Sequence, residues 1–303
     1  MSHDHAHDHD HAHARKGRAF AIATTFNLGY VVVEIVYGIA AHSTALLADA
    51  AHNFSDVLGL VLAWGAAGLA TRVPTTRHTY GFRAATMLAA LTNALLVLVA
   101  AGGVGWEAIR RFGEARQVAG GTVAIVALVG VAINAASALA FAGGRKHDAN
   151  IRAAFTHLAA DAAVGVAVAI SGALVLWTGA VWIDPAASLL VTAVILVGTV
   201  QLLRETFHLV MAGVPVNIDL AEVKTFLAAL PCVAEVHDLH VWSMSTTEVA
   251  LTAHLVLPWP STPPEFLTTV AHDLEERFGI HHVTIQLEHS SEATCAQAPA
   301  DSL

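Results

Sequence analysis

The sequence predicts a polytopic α-helical membrane protein with six transmembrane helices and a C-terminal α+β domain. Its 303 residues are 55% hydrophobic and only 13% charged, with a mean hydropathy of +0.60, whereas charged residues make up about a quarter of a soluble domain. Four uncharged stretches are each long enough to cross a hydrocarbon core that needs about 20 apolar residues: residues 84–106, 117–144, 162–183 and 185–203. This composition excludes a purely soluble enzyme.

Two further helices precede these four. Residues 20–41 are apolar apart from Asn27 and Glu34, and residues 45–70 are apolar apart from a polar cluster between Asp49 and Asp56. The first 14 residues are too polar to form the apolar part of a cleavable signal peptide, so we expect the first helix to remain in the membrane. The sequence therefore divides into a disordered His-rich cytoplasmic tail (1–16), a six-helix transmembrane domain (17–213), a cytoplasmic α+β domain (214–289) and a disordered tail (290–303).

Basic residues in the loops predict that both termini are cytoplasmic, in a multi-pass protein of the cytoplasmic (inner) membrane. Short cytoplasmic loops carry an excess of Lys and Arg. The first and fifth loops have no basic residue, and the third loop, with Arg110, Arg111 and Arg116, departs from the pattern. The basic residues that favour this orientation lie in the amino-terminal flank, the second loop and the fourth loop: Arg15, Lys16, Arg18, Arg72, Arg77, Arg83, Arg145, Lys146 and Arg152.

The segment after Pro215 reads as a small α+β domain. Residues 216–289 contain ten acids, two bases and seven histidines, with no stretch long enough to span a membrane. Asp219 and Glu222 form a capping-box pattern that opens a helix ending near Leu230. Alternating segments at 236–243 and 248–257 predict a β-hairpin, 266–278 an amphipathic helix and 283–288 a third strand. The order α-β-β-α-β predicts a helical layer on one face of a small sheet.

Charge and motif content exclude several partners. The net charge of −9 with only 15 basic residues argues against nucleic acid, which attracts a basic surface. The sequence has no GxxxxGK[ST] motif, so a nucleotide-driven pump is disfavoured. Cys232 and Cys295 form no CxxC, which disfavours a disulfide framework and a thiolate zinc site.

The most informative pattern is an H-x-x-x-D pair that occurs twice: His52 with Asp56 in helix two, and His157 with Asp161 in helix five. Residues four apart lie on one face of a helix, about 6 Å apart along its axis. His52 and His157 each lie nine residues past the start of their helix, and the helices run in opposite directions. Both pairs therefore meet near the midplane of a core about 30 Å thick.

Two carboxylates at this depth would cost roughly 5 to 7 kcal/mol without compensation. A divalent cation supplies that compensation, and two imidazoles with two carboxylates suit tetrahedral zinc. Imidazoles, with an ordinary pKa of about 6.5, accept protons near neutral pH when the ion leaves. The site therefore predicts competition between metal and protons, which is the basis of metal-proton exchange.

Taken together, four motifs resemble the cation diffusion facilitator family over about residues 17–289. The motifs are Ala45-Leu46-Leu47-Ala48-Asp49-Ala50-Ala51-His52 through Asp56, Tyr80-Gly81-Phe82-Arg83 at the start of helix three, the pair His157 and Asp161, and His237-Asp238-Leu239-His240-Val241-Trp242. The resemblance implies six transmembrane helices, a ferredoxin-like, metallochaperone-like cytoplasmic domain, a homodimer, and efflux of divalent ions against protons. It gives His52, Asp56, His157 and Asp161 the transport-site roles.

The same resemblance implies no cofactor, because zinc is the transported substrate. Two His and two Asp resemble the zinc-preferring branch, while cobalt, nickel and cadmium stay open. In the cytoplasmic domain the resemblance maps regulatory metal ligands onto His237, His254 and Glu288, with Gln286 where another member has a histidine. Further candidates there are His240, His281 and His282. The loop from Thr71 to Thr79 offers only His78, so no metal site is predicted there.

Several alternatives stay open from sequence alone. The protein could be a membrane-tethered metal sensor, or an intramembrane zinc hydrolase, although no HExxH motif is present. The amino-terminal histidines either deliver metal or form a tail of weak affinity. Asp49 is interpreted as a solvated residue near the outer mouth, with a ligand on the path to the site as the alternative. Polar residues Asn27, Glu34, Asn93 and Asn134 are expected to hydrogen-bond between helices rather than line a water path.

Overall fold

The computed structural model describes residues 26–114, 117–142, 149–258 and 264–289. Its first six helices are α1 Phe26–Ala40, α2 Thr44–Ala70, α3 Ala85–Arg111, α4 Gly120–Phe141, α5 Ala149–Thr178 and α6 Ile183–Val210. By length and composition, α2 to α6 are able to cross a membrane, and α1 is a shorter apolar helix. This architecture confirms the polytopic helical fold.

Several sequence predictions concern residues outside the described ranges. These are the His-rich tail at 1–16, the start of the first helix at 20–25, the tail at 290–303, and part of the basic loop residues: Arg15, Lys16, Arg18, Arg116, Arg145 and Lys146. In the third loop, Arg110 and Arg111 both contact Glu107, at 3.7 Å and 3.0 Å. The Glu107 carboxylate partly neutralises Arg110 and Arg111, the two described basic residues that did not fit the predicted membrane orientation.

Contacts divide the described chain into two compact units, 26–61 with 93–201 and 62–92 with 202–289. In the first unit, α4 and α5 pack closely because glycines face each other. A Cβ on Gly172 would lie 2.7 Å from the backbone nitrogen of Ala124, and a Cβ on Gly120 would lie 2.7 Å from that of Leu176. Buried side chains from α2 to α6 complete the core: Leu46, Val97, Val123, Val168, Val191 and Ile195.

The start of α2 is held by an acid from α6. The Asp184 carboxylate accepts hydrogen bonds from the Thr44 backbone N–H at 2.7 Å, the Thr44 hydroxyl at 2.8 Å, and the Ser43 hydroxyl. Asp184 is 1% exposed. Its negative charge satisfies N–H groups that a helix start leaves without an intrahelical partner. This contact fixes where α2 begins and therefore how deep its polar residues lie.

The second unit contains the predicted α-β-β-α-β domain. Its elements are α7 Leu220–Ala228, β1 Glu235–Ser243, β2 Val249–Leu257, α8 Phe266–Phe278 and β3 His282–His289. The sheet order is β1-β2-β3, with β1 antiparallel and β3 parallel to β2. Helix α7 begins after Asp219, whose side chain accepts from the Ala221 N–H, and α8 ends at Gly279 in a left-handed conformation with φ of 67°.

The core of this domain lies between its two helices and one sheet face, as its alternating pattern predicted. Val223 and Leu227 of α7 and Val270 and Leu274 of α8 pack against the strands. The strand residues in this core are Val236, Leu239, Val241, Leu251, Ala253 and Leu255. These contacts cover the helix-bearing face and leave the opposite face for polar side chains.

Within the second unit, the loop before α3 contacts the domain. Arg83 pairs with Glu248 at 2.9 Å, and the Thr246 N–H donates to the Thr86 hydroxyl at 3.1 Å. The ring of Tyr80 meets that of His282 edge to face, 5.4 Å between centroids. The Tyr80 to Arg83 motif therefore has a structural role at this contact.

Candidate metal centres

Helices α2 and α5 bring the four predicted residues of the two H-x-x-x-D pairs together. His52 Nε2 lies 3.3 Å from an Asp161 oxygen and 3.9 Å from an Asp56 oxygen. His157 Nε2 lies 3.4 Å from an Asp56 oxygen and 3.6 Å from an Asp161 oxygen. The two imidazoles and two carboxylates thus alternate around one centre, which we call the intramembrane cluster.

These separations fit a small cation with four ligands. In a tetrahedral zinc site with bonds of about 2.0 to 2.2 Å, neighbouring ligand atoms are separated by about 3.3 to 3.6 Å. Three of the observed contacts lie in that range and the fourth is slightly longer. Ligand atoms of His52, Asp56 and Asp161 lie within 4.8 Å of one another, and His157 closes the ring through its contacts to both acids.

A cavity of about 350 Å³ adjoins the intramembrane cluster. Asp56, His157 and Asp161 line it, and the side chain of His157 is 52% exposed, whereas that of Asp161 is 6% exposed. The other lining residues are Asn27, Asn53, Val57, Gly59, Leu60, Asn93, Phe141, Ala154 and Leu158. They lie toward the amino ends of α1, α3 and α5, at the carboxyl end of α4 and in the middle of α2. These four helix ends are on the membrane side that the loop charges predict to be cytoplasmic.

The polar residues around the cluster differ partly from expectation. Asp49 is 4% exposed, so its interpretation as a solvated residue is wrong. Asn53 donates a hydrogen bond of 2.9 Å to Glu34, which confirms the bond between helices that Glu34 was expected to make. Asn93 instead lines the cavity, and its Oδ1 has no hydrogen-bond partner among the described residues.

A second cluster lies on the three strands of the domain, and we call it the sheet cluster. His237 on β1 and His254 on β2 are directly paired, with ring centroids 5.2 Å apart. Glu288 on β3 contacts His254 Nδ1 at 2.8 Å and His237 Nε2 at 3.4 Å. Both ring nitrogens of His237 are buried, and neither makes a hydrogen bond in the described residues, because the 3.4 Å contact of Nε2 with Glu288 does not have hydrogen-bond geometry. Buried polar atoms that lack a hydrogen bond require an explanation, and a bound ion is one that fits the neighbouring donors.

Asp238 joins the sheet cluster, and the sequence interpretation missed it. Strand alternation predicts that Asp238 faces away from His237. A bulge in β1 adds one residue between the pairs His237 with His254 and His240 with Thr252, and Asp238 has a positive φ of 49°. Its carboxylate lies 3.5 Å from His254 and 3.0 Å from His240. The position of Asp238 next to His237 was the feature of the sequence that could have indicated a ligand. The bulge that turns its side chain toward His254 could not be predicted from the sequence.

The remaining histidine candidates lie outside this cluster. The side chain of His240 is 58% exposed and pairs with Asp238, His282 packs on Tyr80, and His281 is exposed. Gln286 donates a hydrogen bond of 3.0 Å to Glu288. A glutamine at this position therefore orients the carboxylate.

Comparisons with known proteins agree with this arrangement over nearly the whole chain. Residues 20–211 match the family described as the cation efflux transmembrane domain, and residues 215–290 match the cation efflux protein cytoplasmic domain. The chain is 34% identical to the zinc transporter ZitB of Escherichia coli over 292 residues, covering 95% of this chain and 93% of that protein.

Two further relatives are similarly close. The metal cation efflux system protein CzcD of Cupriavidus metallidurans is 33% identical over 300 residues, which cover 99% of this chain and 92% of the relative. The cadmium, cobalt and zinc/H(+)-K(+) antiporter of Bacillus subtilis is 31% identical over 265 residues, which cover 86% and 85%. These matches confirm the transporter class and the resemblance. The chain belongs to the cation efflux family, the cation diffusion facilitators, whose members carry metal ions across membranes as substrates and are not enzymes.

Proposed function

We propose that this protein exports divalent metal ions, zinc above all, in exchange for protons at the intramembrane cluster of His52, Asp56, His157 and Asp161. The observation that carries the proposal is the alternation of imidazole and carboxylate around one centre, with contacts of 3.3 to 3.9 Å. Such a donor set suits a tetrahedral zinc ion, because nitrogen and oxygen ligands in this number are typical of it. The helices that carry the donors belong to the family's transmembrane domain.

Charge balance explains why protons would replace the metal. The two carboxylates supply two negative charges, which either one divalent ion or two protonated imidazoles neutralise. An uncompensated charge near the centre of a bilayer is unfavourable. The empty, unprotonated cluster is therefore the least favourable state, and the metal leaves most readily when protons arrive.

The choice of zinc has support from ligand chemistry and from relatives. Imidazole and carboxylate ligands accept several first-row metals, so ligand type biases selection without fixing it. ZitB is named as a zinc transporter, and the Bacillus relative is named for cadmium, cobalt and zinc. We propose zinc as the main substrate, with cobalt, nickel and cadmium as weaker ones.

The cavity next to the cluster gives the proposed direction of transport. It extends from Asp56 and His157 to helix ends that loop charge assigns to the cytoplasm. An ion would therefore enter from the cytoplasm in this conformation and leave on the other side after the helices rearrange. The protein would lie in the cytoplasmic membrane with both termini inside, as a homodimer joined through its cytoplasmic domains.

The sheet cluster is proposed as a regulatory metal site rather than part of the path. His237, His254 and Glu288 offer three donors on adjacent strands, and the buried His237 nitrogens, which make no hydrogen bond in the described residues, favour a bound cation. A metal that binds one arrangement of two domains more tightly shifts the population toward it. Cytoplasmic metal would thereby influence the dimer without being transported from this position.

Flux measurements test the proposed function. Protein in proteoliposomes would be given a proton gradient, and zinc uptake compared for wild type, Asp56→Ala and the control Asp273→Ala in α8. We expect gradient-driven flux in wild type and control and none in Asp56→Ala. Zinc binding without flux in wild type would instead select the metal sensor, and cleavage of peptide or lipid would select the hydrolase.

A further inference from the structure

Glu34 is a buried acid that the four-ligand cluster does not use. It lies in α1 and is 0% exposed. Asn53 Nδ2 donates a hydrogen bond of 2.9 Å to Glu34 Oε2, while Oε1 has no hydrogen-bond partner among the described residues. No Lys or Arg in the described part of the chain forms an ion pair with it. An ionised carboxylate in this position would be poorly compensated.

A second buried acid faces Glu34. Asp49 of α2 is 4% exposed and interacts with Glu34 electrostatically. The other titratable group beside Glu34 is Tyr30 on α1, whose hydroxyl donates to the Val126 carbonyl at 3.0 Å. Helix α4, which supplies that carbonyl, contains no titratable residue. On α2, His52 also interacts with Asp49 electrostatically. Two carboxyls in one buried site do not readily both ionise, because their charges repel.

The two acids lie away from the route that the cavity offers. Neither Glu34 nor Asp49 lines the cavity, whereas Asp56 and His157 do. Asp49 lies about one helical turn before His52, toward the amino end of α2, whereas Leu60, which lines the cavity, lies about two turns beyond His52. Asn53 links the regions, since it lines the cavity and donates to Glu34.

We propose that Glu34, paired with Asp49, is a proton-binding site separate from the four metal ligands, and that it gives up its proton when metal binds. This inference rests on the proposed function. While its imidazoles are unprotonated, the metal-free intramembrane cluster carries two carboxylate charges, which oppose a further negative charge nearby. A bound divalent ion cancels them, so ionisation of Glu34 becomes less unfavourable. Metal and this proton would thus be coupled electrostatically, without a shared ligand.

Proton release on zinc binding tests the inference directly. Full-length protein in detergent would be titrated with zinc by calorimetry in buffers of different ionisation enthalpy, which yields the protons released per ion bound. The variants are Glu34→Gln and, as a matched control, Glu114→Gln at an exposed loop position. The same titrations would be made with Asp56→Ala and with the double variant Asp56→Ala, Glu34→Gln. Subtracting them from the titrations of wild type and Glu34→Gln, respectively, removes the contribution of zinc bound outside the intramembrane cluster.

We expect Glu34→Gln to release up to about one proton fewer per zinc than wild type, because a glutamine has no proton to lose. Its zinc affinity should stay within roughly tenfold, since no ligand is removed. Glu114→Gln should match wild type in both quantities. Equal proton release by Glu34→Gln and wild type would overturn the inference.

A spectroscopic measurement covers the case in which Glu34→Gln does not fold. Wild-type protein with 13C-labelled glutamate would be studied by infrared difference spectroscopy with and without zinc. Loss of a protonated glutamic acid band on zinc binding is expected, and its absence would reject the inference. If wild type shows no proton release and no gradient-driven flux, the proposed function itself fails. If wild type shows both and Glu34 contributes nothing, only the separate proton site fails.

Discussion

The two clusters of this protein use the same side chains on different scaffolds. The intramembrane cluster joins α2 and α5, between which the described residues form no backbone hydrogen bond, and it leaves the side chain of His157 52% exposed beside a cavity. The sheet cluster lies on hydrogen-bonded strands, and Glu288 already contacts both His254 and His237. Donors on separate helices are able to move apart, whereas donors fixed by strand register are not.

This difference indicates how histidines and acids are suited to transport in the intramembrane cluster and to stable binding in the sheet cluster. A transported ion must be released, so its ligands need two arrangements and access to water. A regulatory ion needs one arrangement and no path through the protein. The comparison therefore predicts that substitutions in the two clusters separate flux from binding.

Loss of one carboxylate from the intramembrane cluster should have the largest effect. Asp161 contacts both His52 and His157 and its side chain is only 6% exposed. We expect Asp161→Asn to lower zinc affinity at this cluster by about 100-fold or more, since even residues behind metal ligands contribute 10- to 100-fold. Radioactive zinc uptake into proteoliposomes should fall to background. Uptake near the wild-type level would contradict the proposed role of the cluster.

The matching change in the sheet cluster should affect binding and spare transport. His254 contacts Glu288 at 2.8 Å and Asp238 at 3.5 Å. We expect His254→Ala to weaken zinc binding in the cytoplasmic domain by roughly 10- to 100-fold, while the maximal uptake rate at saturating zinc stays within about threefold. Calorimetry and uptake on the same preparation check both values. His272→Ala, on the exposed face of α8, serves as the control.

An intermediate effect is expected at the anchor that sets the depth of α2. Asp184 accepts three hydrogen bonds from Ser43 and Thr44 and is almost fully buried. We expect Asp184→Ala to lower the free energy of unfolding by about 2 kcal/mol, the range for losing a strong helix cap. Denaturation in detergent would measure it. An unchanged stability would show that Asp184 does not hold the start of α2.

The sequence predicted those features that depend on local spacing. The period of four placed each His beside its Asp, and equal depth in antiparallel helices brought His52 close to Asp161. Period-two alternation likewise gave the three strands with their boundaries within a residue or two. These features follow from backbone geometry that repeats along the chain.

Other features depend on contacts that no local pattern encodes. Asp184 caps a helix 140 residues away in sequence, Glu34 meets Asp49 only after α1 packs on α2, and Asp238 reaches His254 because β1 bulges. Each is a polar residue whose partner is set by tertiary packing. Acidic residues inside predicted membrane helices are rare and need a partner that compensates their charge. Looking for such a partner for every acid would have identified Glu34 and Asp49 from the sequence.

The smallest effect is expected at the contact between the loop before α3 and the sheet. Arg83 and Glu248 lie 2.9 Å apart, but their side chains are 39% and 37% exposed. Exposed ion pairs contribute about 0.2 to 1 kcal/mol and weaken with salt, because water and ions screen them. A double-mutant cycle of Arg83→Ala and Glu248→Ala in denaturation experiments should give a coupling energy of at most about 1 kcal/mol, falling further in high salt. Zinc binding at both clusters should stay unchanged, because neither residue contacts a proposed ligand. A coupling above about 2 kcal/mol that resists salt would mean that this contact is shielded from water, and the sheet cluster would then have a rigid connection to the start of α3.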